Sequence, residues 1–170
     1  MMSEHDETED AFQDIDVQFA EETLRNDAPD AETMVHWARR ALQGESGFCT
    51  LRLVGIDEIT ALNRQFRELD KPTNVLSFEA DLPLEVSEGY LGDVVICVPV
   101  VNNEALTQGK ARDAHFAHMV VHGVLHLRGF DHIAYDEAEI MEQLEVQLLA
   151  LEGIEDPYLE SFGDSTSSHG

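Results

Sequence analysis

Five of the chain's eight histidines, His115, His118, His122, His126 and His132, fall within eighteen consecutive residues. On a helix turning 100° per residue the first four occupy a stripe about 80° wide, so their rings leave one face. His122 and His126 stand one turn apart, the i, i+4 spacing at which two imidazoles bind one metal ion. Gly129 ends that helix and lets the chain turn back, so that His132 enters from the side as a third ligand. Three neutral nitrogen donors leave a fourth position open for water, the arrangement of a catalytic zinc rather than a structural one. Imidazole also suits nickel, copper and iron, but three histidines with an open position favour Zn2+, one per chain.

The neighbours of these ligands narrow the chemistry. Gly123 stands where zinc proteases carry the glutamate general base, which disfavours peptidase activity. His118, one turn before His122, either touches substrate and accepts a proton or packs behind the metal. Asp131, beside His132, either orients a metal-bound imidazole or acts as the base, and orientation is the favoured role.

These residues need a scaffold, and the hydrophobic pattern predicts one. Ile15, Val17 and Phe19 alternate with polar residues as in a strand over 15–19. Pro29 or Asp30 opens a helix through Met34, Trp37, Ala38 and Leu42, stopped at Gly44. A strand is expected over 50–54, followed by a helix on Ile56, Ile59, Leu62, Phe66 and Leu69, with Asp57 in its cap region. Strands over 73–78 and 91–98 precede a helix from about Val100 to Gly109 and the histidine helix over 111–128. Within them, Asn74 and Ser77 border the cleft, and Leu91-Gly92-Asp93 forms a turn that serves the fold. A last helix over 135–151 presents Ile140, Leu144, Leu148 and Leu151 on one face. The expectation is an α+β fold: a single domain over 14–160 with about four strands in a mixed sheet, about five helices, and the metal-binding helix in the cleft. Residues 1–13 read as a disordered acidic terminus and 161–170 as a flexible tail.

Bulk composition bounds the function. The 170 residues are 43% hydrophobic, without any apolar stretch long enough to span a bilayer. The amino-terminal residues lack the basic and apolar regions of a secretory signal, so a cytoplasmic location is expected. Cys49 and Cys97 each sit in an apolar, strand-like run and read as two buried thiols. With 35 acidic and 10 basic residues the net charge is −25, which repels polyanions at long range. Arg64, Arg67 and Lys71 nevertheless lie in one short stretch and offer a local cationic patch.

The segment His122-Gly-Val-Leu-His126-Leu-Arg-Gly-Phe-Asp131-His132 resembles the HGxLHLxGxDH signature of the YbeY endoribonucleases. The resemblance continues upstream through residues 62–67 (LNRQFR), 72–78 (PTNVLSF) and 91–96 (LGDVVI) and covers about residues 48–135. It implies a metal-dependent endoribonuclease specific for single strands, acting in 3′-end maturation of small-subunit ribosomal RNA and in ribosome quality control. It implies that His122, His126 and His132 carry the metal and that Arg67, in the LNxxxR segment, is functional. A guanidinium there presents paired donors to two phosphate oxygens. Expected partners are single-stranded RNA and, given the acidic surface, ribosomal proteins or small-subunit assembly factors. The competing readings are a metal-dependent hydrolase of a non-RNA substrate and a ribosome-assembly or RNA-chaperone factor whose metal is structural.

Overall fold

A computed structural model describes residues 12–80, 88–130 and 135–159. Four strands, β1 (Gln13–Phe19), β2 (Gly47–Val54), β3 (Val75–Glu79) and β4 (Tyr90–Cys97), form one sheet in the order β1-β2-β4-β3. The pairs β1–β2 and β2–β4 are parallel, and β3 runs antiparallel to β4, so the sheet is mixed, as expected. Among the described residues five α-helices accompany it: α1 (Ala31–Leu42), α2 (Ile56–Arg67), α3 (Val98–Gln108), α4 (Arg112–Leu127) and α5 (Tyr135–Ala150). A 3-10 segment over Glu22–Asp27, which the hydrophobic pattern does not reveal, leads into α1.

Local chemistry sets the helix ends. The Asp30 carboxylate accepts the Thr33 backbone N–H at 2.8 Å and caps α1, whereas Gln43 closes it in the left-handed conformation. Residue Gly55, not an acidic side chain, occupies the cap position of α2, and Asp57 lies within the first turn. Pro99 sits inside the first turn of α3, where its missing N–H costs nothing.

Alternation along the strands divides the core. Cys49, Leu51 and Leu53 of β2 and Val94 and Ile96 of β4 face a large cluster that includes buried residues of α1, α4 and α5. Val54, Val95, Cys97 and Leu76 face the opposite side, with Ile59 of α2. The two cysteines are thus free, buried and on opposite faces of the sheet. Leu91-Gly92-Asp93 is not a turn but part of β4, where the pairing with β2 skips Leu91 as a bulge. Gly92, at φ +137, lies so close to β3 that a Cβ would stand 2.1 Å from the Phe78 carbonyl oxygen.

The last helix is rotated from the expected phase. Its buried positions are Met141, Glu145, Leu148 and Leu149, whereas Ile140 and Leu151 are exposed. One-residue phase errors arise readily here because leucine and isoleucine occur on more than one side of α5.

Candidate metal centre

Helix α4 carries the histidines and is buried along most of its length, from His115 through Val121 and again at Gly123 to Leu125. It packs directly on the sheet through Gly123, where a Cβ would meet Val94 Cγ1 at 2.5 Å. The Ser77 hydroxyl donates to the Gly123 carbonyl at 3.2 Å and pins the helix to the edge strand β3. Residue 123 therefore faces the sheet, and no side chain there reaches the histidine face. At the amino-terminal end, the Glu104 carboxylate accepts from His115 Nε2 at 2.8 Å and from the Asn74 amide at 3.1 Å, tying α3, α4 and the entry to β3 together. At the other end, the Arg128 guanidinium donates to the Ala41 carbonyl at 2.8 Å.

The four helical histidines form a ladder. Successive ring centroids lie 6.3 Å apart from His115 to His118, 6.1 Å from His118 to His122 and 4.8 Å from His122 to His126. His115 and His118 are buried, and His122 and His126 are partly exposed. The ladder therefore runs from the interior toward solvent, with the i, i+4 pair at its accessible end.

Glu145 of α5 meets the ladder from the side and is 0% exposed. Its Oε2 accepts from His122 Nδ1 at 2.7 Å, and its Oε1 accepts from His118 Nε2 at 2.9 Å and from the Tyr158 hydroxyl. Burial pushes its carboxyl toward the neutral form, but the hydrogen bonds from His118 and His122 overcome that and hold it at about 2. Burial and the adjoining carboxylate push the Tyr158 phenol well above its ordinary value, so it stays a donor. Burial likewise holds His115 below its ordinary value, against the pull of Glu104.

His118, His122 and Glu145 bring metal-ligand atoms within 4.8 Å of one another. The direct contacts of 2.7 and 2.9 Å are hydrogen-bond distances. Donors sharing a tetrahedral ion at ~2.0–2.1 Å stand about 3.3 Å apart. As arranged, the trio is a hydrogen-bonded network. A cavity of about 750 Å³, with Trp37, Lys110, His115, His118 and Pro157 among its walls, adjoins the buried end of the ladder; neither His122 nor His126 lines it.

Arg67 ends α2 on the exposed surface, and its guanidinium makes no hydrogen bond or ion pair with any described residue. Its neighbour Phe66 meets Phe78 of β3 edge-on, with centroids 5.0 Å apart, and Ser77, next to Phe78, touches α4. The edge strand thus links the end of α2 to the histidine helix. Asn63 is buried and donates to the Lys71 carbonyl at 2.8 Å, folding the loop after α2 back on the helix. Of the expected cationic patch, Arg64 is paired with Asp70 at 3.1 Å.

Asp131 and His132 lie outside the described residues. Sequence reasoning overlooked Glu145 and Tyr158. Position 145 did carry a signal, since it stands four residues after Met141 and three and four before Leu148 and Leu149, in register with buried apolar positions.

Comparison with known proteins converges on one family. Residues 11–152 match the family described as Endoribonuclease YbeY. The chain is 49% identical over 151 residues to the Endoribonuclease YbeY of Cellvibrio japonicus, covering 87% of this chain and 83% of the relative. It is 54% identical over 136 residues to that of Stutzerimonas stutzeri, covering 78% and 85%. The solution structure of TM1509 from Thermotoga maritima shares the fold, with a TM-score of 0.50 at 23% identity over 86% of this chain and all of that one.

Proposed function

Because the chain belongs to the YbeY endoribonuclease family, we propose that it is a zinc-dependent, single-strand-specific endoribonuclease acting in 3′-end maturation of small-subunit ribosomal RNA and ribosome quality control. The observation that carries this reading is the accessible end of the ladder, where the His122 and His126 rings stand 4.8 Å apart on successive turns. Imidazoles so placed suit a borderline-soft ion, and His132 completes the set of three. His122, His126 and His132 would hold a zinc ion there, which would supply Lewis acidity for the scissile phosphate and the attacking water.

The chain's own residues do the rest. Arg67, exposed and uncommitted among the described residues, grips two phosphate oxygens in a bidentate contact and holds the phosphodiester in register. Asp131 orients an imidazole of the metal set. His118, 7% exposed and bonded to Glu145 and Tyr158, supports the site from behind.

Incubating zinc-loaded protein with single-stranded and duplex RNA, beside His126→Ala, tests this reading. Cleavage confined to the single strand and absent from His126→Ala is the expected result. Equal cleavage by His126→Ala would overturn it.

A second reading rests on the net charge of −25. So acidic a body docks readily on basic ribosomal proteins, and recruitment through them would deliver the enzyme to RNA that its far field repels.

A further inference from the structure

A fully buried glutamate that gathers three donors is costly unless each is fixed in place, because an ionised carboxylate can only accept. Glu145 meets that condition with His118 Nε2, His122 Nδ1 and the Tyr158 hydroxyl. These three contacts therefore dictate where its neighbours keep their protons. His122 must donate from Nδ1, so in the neutral ring Nε2 carries the lone pair. His118 must donate from Nε2, which leaves its Nδ1 as an acceptor. That Nδ1 is buried without a hydrogen-bond partner among the described residues, a place that tolerates a lone pair far better than a stranded N–H.

We infer that Glu145 is a positioning residue of the metal centre, holding His122 in the Nδ1–H form so that Nε2 is the nitrogen offered to the ion. The inference rests on the reading of His122 as a metal ligand. Two further features favour it. The carboxylate is inaccessible to solvent, while the His122 ring that it holds through Nδ1 is partly open. Tyr158, from the segment after α5, donates to the same Oε1 as His118 and so restrains the carboxylate. A metal-bound imidazole backed in this way is oriented before the ion arrives and is a stronger base.

Two measurements test the role. Long-range proton–nitrogen correlation spectra of the metal-free wild-type protein should show His122 protonated on Nδ1 and bare on Nε2; the opposite tautomer would overturn the inference without any variant having to fold. Chelator competition should then show Glu145→Gln binding one zinc about 10- to 100-fold more weakly than wild type. Zinc lost from His126→Ala but held at wild-type affinity by Glu145→Gln would overturn the role of Glu145 alone. Full zinc retention by His126→Ala would overturn the metal centre and this role with it.

Discussion

Gly123 and Val94 approach so closely that a Cβ on residue 123 would lie 2.5 Å from Val94 Cγ1, with Ser77 Oγ 3.3 Å away. This contact sets the height of α4 above the sheet and, with it, the position of His122, the residue just before. Val94 is fully buried and β-branched, so it has little freedom to withdraw. Gly123→Ala should therefore lose stability: overpacking costs roughly 1–3 kcal/mol, against a helix-propensity gain of at most about 1 kcal/mol. Zinc affinity should fall as well, because the helix must lift. Urea midpoints and a zinc titration read both effects, and a variant as stable as wild type would show that the contact relaxes at no cost.

Arg67→Ala should keep its metal and fold yet cleave RNA at least ~10-fold more slowly, the scale of one charge-assisted phosphate contact worth over ~1.4 kcal/mol. Arg67→Lys should rescue little, since an ammonium cannot reproduce the paired donors. Steady-state cleavage with metal content measured in parallel decides it. Full activity in the lysine variant would reduce the role of Arg67 to that of a point charge.

Much of this architecture is legible in the sequence. The spacing of His115, His118, His122 and His126 announced one helix face, and the ladder of rings along α4 has that form. The strands and helix ends fell within a few residues of their observed positions because caps and apolar periodicity are local signals. Sheet order was not legible, since the parallel pairing of β1 with β2 depends on contacts distant in sequence. Glu145 was hidden by its neighbours: among Glu137, Glu139 and Glu142 it resembles one more solvated acid on a helix surface. Its register with Met141, Leu148 and Leu149 marks it as buried, but the donors from α4 and from Tyr158 come only with the tertiary fold.

His115 links stability to pH. Its folded value lies below the ordinary 6.5 chiefly through burial, with Lys110 and His118 pushing it further down and Glu104 opposing them. The neutral ring therefore contributes stability that is fully present above about 6.5 and is lost as pH falls through the lower folded value. The stability difference between wild type and His115→Gln should shrink between pH 7.5 and 5. Thermal melts across that range measure it, and a difference that grows toward acid pH would reverse the sign assigned here.

Salt should act in an unusual direction. The far field of a chain with net charge −25 repels RNA, whereas Arg67, Lys71 and the metal attract it only at short range. Raising ionic strength from low values screens the repulsion first, so cleavage at subsaturating RNA and fixed free zinc should rise or stay flat before it declines. An ordinary basic RNA-binding surface weakens throughout. A steep monotonic fall from the lowest salt would mean that the cationic groups dominate at every distance.

The most direct test of the central claim is a zinc titration of RNA cleavage by protein stripped of metal with a chelator. Activity toward single-stranded RNA should be absent at the start, rise in proportion to added zinc and level off at about one equivalent per chain, the stoichiometry of a single three-histidine site. Undiminished cleavage by the stripped protein, with no response to zinc, would contradict the account.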